Sequence, residues 1–573
     1  MISNKAETPL APGETPDKIG FIIGASSVGT LIEWYDFYIF GMLATIIARQ
    51  FFPEDSGTSA LLSTLAIFAA GFIVRPFGAL VFGRLGDLIG RKHTFLLTLV
   101  LMGGSTFAIG LVPGFASIGW LAPVLVLILR LIQGLALGGE YGGAATYVAE
   151  HAPAKHRGFW TSWIQTTATL GLFIALGIIV LIRQWQGVER FSTEWGGWRY
   201  PFWISLLLVV VSIFIRLRMS ESPLFAKLKK EGKVSANPLQ ESFGHKANFK
   251  MVLLALFGAV MGQGVVWYTG QFYAQSFLEN VCKLDFLQSR NVILIGILFA
   301  TPFFVVFGAL SDRVGRKWIM LAGMLLALIS YRPMYGKFME WTNPALRTEQ
   351  VDASGTKAYP PFGQLELVHK SHLQIVTKLD TAYTDGSIYR YTKTDTVYLP
   401  KPPGELSGTI ACLVPSALTP GTTDTLLVQL KQTEGQASEK NITYLQATAR
   451  SAKPGITVEK TVGDSIYRWI IVLVFFQILF VTMVYGPIAA FLVELFPTKI
   501  RYTSMSLPYH IGNGVFGGLV PFLSTLIVEF TKTAERPAGD PLAGLWYPIC
   551  VAAACFVIGA VYLKNKIDEN VMD

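Results

Sequence analysis

Glu33 and Asp36 stand three residues apart in the apolar stretch TLIEWYDFYIFG, Thr30 to Gly41. On a helix that spacing places both carboxylates on one face. Each carboxylate costs roughly 2.5 to 3.5 kcal/mol at the centre of a membrane helix, so their shared face must meet water or a partner. Two close carboxylates do not both ionise cheaply in a low dielectric. The pair is therefore a candidate proton-binding site, with Asp36 favoured over Glu33 as the carrier. The bland alternative is that both are paired with Arg75 or Arg130 and hold helices together.

Arg75, in VRPFG, and Arg130, in RLIQGLALGG, are permanent charges inside apolar runs. They are candidate ligands for a substrate carboxylate, with Gln133 one turn from Arg130. Tyr268 and Gln271, together with Trp267 and Tyr273, supply the aromatic and amide groups that usually line pockets. Glu140 and the His510–Asn513 pair of YHIGNG are further polar groups; the histidine is read first as a packing residue. The sequence shows no metal-ligand spacing, no nucleophile or cofactor constellation and no phosphate-cradling glycine loop. The expectation is a protein that is not an enzyme, needs no cofactor or metal and draws no energy from ATP.

These residues need a membrane scaffold to hold them. The 573 residues are 52% hydrophobic and 15% charged, with a mean hydropathy of +0.46, against about 25% charged in a soluble domain. Twelve runs of about 20 apolar residues recur between Ile19 and Leu563, each long enough to cross a bilayer. The first is too long and too acidic for a cleaved signal peptide. Lys and Arg are more than twice as frequent in the short loops after even-numbered spans as in the opposite loops. Both termini are therefore expected in the cytoplasm, and the net charge of +9 needs no nucleic-acid partner. The expected partners are a small-molecule substrate, protons and the lipid bilayer, around a monomer in a bacterial inner membrane.

Two motifs occur twice. GRLGDLIGRK (Gly83 to Lys92) and GALSDRVGRK (Gly308 to Lys317) lie 225 residues apart, whereas EHAPAKHR (Glu150 to Arg157) and ELFPTKIR (Glu494 to Arg501) lie 344 apart. The difference, 119 residues, sizes an insertion in the second half between spans nine and ten. That stretch alternates like strands in LELVHKSHLQIVTKL, SIYRYTKTDTVYL, DTLLVQL and NITYLQATA, with Pro and Gly turns between them. A small β-rich extracytoplasmic domain is expected, a disordered loop being the alternative. Cys282 and Cys412 both fall on that side, so the topology permits a disulfide there.

The domain plan is a cytoplasmic tail at 1–18, a six-helix half at 19–218, a cytoplasmic linker at 219–250, helices seven to nine at 251–339, the insertion at 340–464, helices ten to twelve at 465–563, and a tail at 564–573. The linker stretch ESPLFAKLKKEGK reads as a basic amphipathic helix suited to anionic lipid.

With both repeats in view, the chain resembles the major facilitator superfamily of secondary transporters. EWYDFYIFG, RPFG, RLIQGLALGGEYGGA, SESPLF and FPTKIRYTSMSLPYHIGNGVFGG resemble its metabolite:proton symporter branch, which includes carriers of 2-oxoglutarate, citrate, shikimate, proline and betaine. The resemblance implies an all-α polytopic fold of twelve transmembrane helices in two six-helix halves, working by alternating access. It further implies a cytoplasmic gate made by Asp87, Arg91, Glu150 and Arg157 in one half and Asp312, Arg316, Glu494 and Arg501 in the other. Leu88 stands where the family usually carries a basic residue. Ten residues follow Leu563, without the coiled-coil extension of the osmosensing carriers. The expected function is proton symport of a small organic acid anion such as a di- or tricarboxylate. The alternatives are symport of a zwitterion such as proline or betaine, and a transporter-like receptor that uses the outer insertion.

Overall fold

A computed structural model describes residues 16–53, 57–89, 91–138, 145, 148–149, 152–217, 244–350, 362–369, 372–398, 409–415, 423–429, 442–444, 455–496 and 501–565. The chain divides into two compact units. One holds the membrane helices and the other holds residues 278–288 with 338–468.

Among the described residues ten helices are long and apolar enough to cross a membrane, a bent pair supplies an eleventh, and a shorter apolar helix stands at the place of the third expected span, all in the expected order. Span one is a bent pair, Ser27–Met42 and Ala44–Phe51, with 60° between its pieces. Spans two to six are Ser59–Phe82, Leu97–Ile109, Leu121–Gly138, Arg157–Gln186 and Gly197–Phe214. Spans seven to nine are Lys246–Asn280, Phe286–Val314 and Arg316–Trp341, and spans ten to twelve are Asp464–Leu495, Ser504–Phe530 and Ala543–Tyr562. The helix of span three itself runs from Arg91 to Ile109. Trp120, Trp185, Trp195, Trp318 and Trp546 are exposed, as suits side chains at a membrane interface.

Close helix approach depends on glycine. A Cβ at Gly134 would strike the main-chain oxygen of Gly71, one at Gly78 that of Leu135, and one at Gly138 that of Arg75. Spans two and four therefore touch backbone to backbone, which brings Arg75 and Arg130 to adjacent levels. Span five meets span eight in the same manner through Gly158 and Gly308. Spans seven and eleven each contain π-helical turns, at Leu256–Val260, Thr269–Tyr273 and His510–Gly517. The last begins two residues after Pro508, whose missing N–H disturbs the regular ladder.

The second unit is β-rich. Strands β1 (Phe362–His369), β2 (His372–Ala382), β3 (Ile388–Tyr398) and β7 (Gly455–Thr461) form an antiparallel sheet in the order β1-β2-β3-β7. Strands β4 (Thr409–Pro415), β5 (Thr423–Gln429) and β6 (Ile442–Tyr444) form a second sheet in the order β5-β4-β6. The turn from β2 to β3 uses Gly386 at φ +82°, and Asp385 accepts a hydrogen bond from the Ser387 amide at 2.9 Å. Arg347 clamps that turn through Asp385 and Ser387. The loop at 278–288 joins this unit: Asp285 N–H donates to Lys460 O at 2.8 Å and Lys460 N–H to Lys283 O at 2.7 Å. Cys282 is a free, buried thiol pushed up to about 12 by that burial, so the disulfide permitted by topology is absent at this residue. The Cys412 side chain and the linker stretch from 218 to 243 lie outside the described residues.

Candidate functional site

Asp36 is 1% exposed and Glu33 2%, so their shared helix face does turn inward. Asp36 Oδ1 has no hydrogen-bond partner, and the Ser205 hydroxyl of span six lies beside the carboxyl group. The arginines are buried as deeply: Arg75 is 1% exposed and Arg130 is fully buried. Neither forms an ion pair with Asp36. Instead each is held by aromatic faces. Arg75 Cζ lies 4.1 Å from the ring centres of both Phe37 and Phe72, while Arg130 Cζ lies 3.9 Å from Phe37 and 4.9 Å from Phe68. Phe37 thus serves both guanidinium groups, a cation–π arrangement strengthened by desolvation.

The aromatic faces leave one in-plane edge of each guanidinium unused. Nε and Nη2 of both arginines lack hydrogen-bond partners. Arg130 Nη1 donates to Gln133 Oε1 and, at 3.3 Å, to the Phe37 carbonyl. Gln133 Nε2 in turn donates to the main-chain oxygen of Asp36 at 3.0 Å and to Thr106 Oγ1 at 2.7 Å. Span four is thus bolted to spans one and three at the level of the charges.

From the second half, Trp267 stacks on Tyr38 with 5.3 Å between ring centres, and Tyr268 meets the edge of Phe72 at 5.1 Å. Trp267 Nε1, the Tyr268 hydroxyl and both amide atoms of Gln271 are buried without hydrogen-bond partners. Pro76 removes the donor that would bond the Phe72 carbonyl within the helix, and Gly514 of span eleven packs against that oxygen and Arg75 Cδ. His510 is buried beside Arg75 and the backbone of Gly138. A polar chain runs from Gln263 Nε2 to Asn513 Oδ1 (3.4 Å), from Asn513 Nδ2 to the Tyr509 hydroxyl (3.1 Å), and between the Tyr509 and Tyr485 hydroxyls (2.7 Å). Tyr273 departs from its expected place: its ring stacks on Tyr335 of span nine, 5.7 Å between centres, and packs within the second half.

At the face carrying the repeated loops, Glu494 binds Arg316 at 2.9 Å and, across the two halves, Arg157 at 3.4 Å. Arg316 also pairs with Asp312 at 2.7 Å. The Asp312 carboxylate accepts from the Gly158 and Phe159 amides at 2.8 and 2.9 Å. An aspartate from the second half therefore caps the N-terminus of a first-half helix, a contact missed by motif reading because its partner is main chain. Arg501 Nε donates to the Phe496 carbonyl at 3.1 Å. The side chains of Asp87 and Arg91, and residues Glu140 and Glu150, lie outside the described residues.

The family model for "Sugar (and other) transporter" matches residues 22–242. The alpha-ketoglutarate permease of Escherichia coli K12 is 34% identical over 339 residues, covering 59% of this chain and 76% of that protein. The chain belongs to the major facilitator superfamily, in its metabolite-carrier branch.

The proline/betaine transporter of Salmonella typhimurium is 36% identical over 342 residues, 57% of this chain and 67% of that one. A solved xylose transporter from E. coli superposes with a TM-score of 0.57 at 15% identity, covering 96% of this chain and 99% of the other. At that identity the likeness shows the fold alone. This superfamily member is thus a multi-pass membrane transporter and not an enzyme. Its charge cluster sits in the helical unit that the family shares.

Proposed function

We propose that this carrier is a proton-coupled symporter of a small organic acid anion, a di- or tricarboxylate, working by alternating access. The observation that carries the reading is the pairing of two opposite features in one buried centre. Arg75 and Arg130 keep unpartnered donors in a fork that matches a carboxylate. Asp36 keeps an unpartnered oxygen and no counter-charge. A buried lone carboxylate is costly when ionised and cheap when protonated, so a proton on Asp36, with Glu33 assisting, and a carboxylate on the arginines each relieve one uncompensated charge. Together they let the loaded carrier reorient. Relatives named for alpha-ketoglutarate and shikimate support a carboxylate-bearing substrate.

A zwitterion such as proline or betaine is the second reading, favoured by the aromatic wall of Tyr38, Trp267, Phe272 and Phe68, which suits an onium group, and by relatives named for those solutes. In either case the substrate binds between the halves, the gate of Arg157, Asp312, Arg316 and Glu494 faces the cytoplasm, both termini lie there, and a monomer suffices without nucleic-acid partners.

Proteoliposome uptake across dicarboxylates, tricarboxylates, shikimate, proline and betaine tests the choice of substrate. Asp36→Asn tests coupling: uptake driven by a pH gradient is lost while substrate exchange survives. Full concentrative uptake by that variant would sink the coupling assignment.

A further inference from the structure

We infer that Arg290 is a latch between the two halves at the face opposite the repeated basic loops, holding the break in span one and releasing it when that face opens. This rests on membership of the family and not on which substrate is carried.

Sequence position alone counts Arg290 among loop cations, because it lies in the first turns of span eight. In the structure it is fully buried. Its Nη2 donates to the main-chain oxygen of Met42 at 2.7 Å, across 248 residues of sequence. Met42 ends the first piece of span one. In an unbroken helix its carbonyl would accept from the Ile46 amide; here that amide donates to Leu43 O at 2.9 Å, and the chain turns by 60°. The bend thus frees the Met42 oxygen, and Arg290 of the other half satisfies it. A guanidinium on a carbonyl inside an apolar layer is a charge-assisted bond, strong while water is excluded and readily exchanged once water enters.

The neighbouring layer fits a closure. Gly41 leaves room only for the Phe272 and Phe68 rings, which lie 5.5 Å apart between centres, and Phe272 packs 5.1 Å from Tyr38. Rings from spans one, two and seven therefore cover the charge centre one turn below the Met42–Arg290 bond. At the opposite face the Arg157–Glu494 pair joins the same two halves. The helical unit is tied across its halves at both ends, and access from the side of Arg290 requires that its bond to Met42 break.

The test uses the full chain in membrane vesicles of both orientations, with the four native cysteines replaced by serine and Phe68→Cys as reporter for a membrane-impermeant thiol reagent. Adding Arg290→Met is expected to raise the labelling rate at least roughly tenfold from the face opposite the basic loops, with no rise from the basic face. Arg290→Lys keeps the buried charge but loses the fork, and is expected to give a smaller rise of about threefold in the same direction. Labelling unchanged in either membrane-inserted variant overturns the latch, as does a rise from the basic face. A fall in melting temperature with unchanged labelling also overturns it, since that is the signature of a purely structural arginine. None of these outcomes touches the choice of proton or substrate.

Discussion

Arg130 and Gln133, three residues apart on span four, are hydrogen-bonded to each other, and each also reaches a main-chain oxygen of span one, at Phe37 and Asp36 respectively. Gln133 therefore aims one guanidinium and ties down the backbone of the carboxylate residue with a single amide. Gln133→Leu leaves Arg130 Nη1 with only the long bond to Phe37 and frees span one. Losing a buried, charge-assisted bond costs about 1.5 to 3 kcal/mol, so uptake should fall roughly tenfold to a hundredfold, mostly as a higher KM, at unchanged membrane abundance. Uptake kinetics in proteoliposomes measure the split.

The gate predicts the opposite sign of disturbance. Glu494 is the one acceptor shared by Arg157 and Arg316 in the described network, and its side chain is only 5% exposed. Glu494→Gln removes the charge that joins the halves, taking away the described counter-charge of Arg157 and leaving Arg316 with Asp312. Breaking a buried pair costs several kcal/mol, and a loss of about 2 kcal/mol shifts a two-state equilibrium roughly thirtyfold. Cysteine labelling from the basic-loop face should rise by that order, and gradient-driven uptake should fall. Unchanged labelling would remove Glu494 from the gate.

The glycine contacts between spans two and four carry their own expectation. A Cβ at Gly134 meets the Gly71 backbone, which cannot swing aside as a side chain could. Gly134→Val must separate the helices that hold Arg75 and Arg130, at a cost of about 1 to 3 kcal/mol in packing. The expected result is a lower unfolding temperature in detergent together with weakened substrate binding, whereas Gly104→Ala, at a position open on all sides, should alter neither.

Glu194, in the loop between spans five and six, accepts hydrogen bonds from the Gly114 amide and the Ser117 hydroxyl, both at 2.7 Å. The Ser117 bond, then the Gly114 bond, holds its carboxyl below the ordinary glutamate range. A depressed value in the folded state means that the stabilisation is fully present above about pH 5 and is lost as pH falls through the folded value. Solvent screening keeps the contribution to about 1 kcal/mol. Glu194→Gln should therefore lower the melting temperature near neutrality and narrow the difference from the parent chain below pH 4, as a thermal-melt series across pH would read.

The fold was legible where burial leaves a pattern and illegible where rotation decides. Apolar runs located the ten long helices, the bent first pair and the shorter third helix, because the bilayer demands about 20 apolar residues whatever the tertiary packing. The offset between repeats placed the insertion, and four quoted stretches covered strands β1, β2, β3, β5 and β6. Strands β4, TIACLVP, and β7, GITVEKT, lacked a clean alternation of their own. Arg75 and Arg130 stood out as charges at depth, yet their aromatic seats did not: Phe37, Phe68 and Phe72 are ordinary membrane residues until three helices are rotated against one another. Arg290 was hidden for the converse reason, its place near a span end giving no hint that a bend 248 residues earlier frees an oxygen for it.

The insertion offers a last prediction. In the first half, spans three and four are joined by a short connection between Ile109 and Leu121, and the second half repeats that half's loop motifs at spans eight and ten. Spans nine and ten therefore need no more than a connection of about ten residues to satisfy the same helix packing. The sheet of β1, β2, β3 and β7 and the sheet of β4, β5 and β6 are separate from that requirement, and the compact unit they belong to has its own clamp at Arg347 and Asp385. Replacing residues 340–464 with a ten-residue Gly/Ser connection should give a chain that inserts and transports at a rate within about threefold of the parent. An accessory domain on a carrier predicts that result. A receptor in which the insertion binds the ligand predicts loss of all substrate-dependent response, and uptake by the shortened chain in proteoliposomes decides between them.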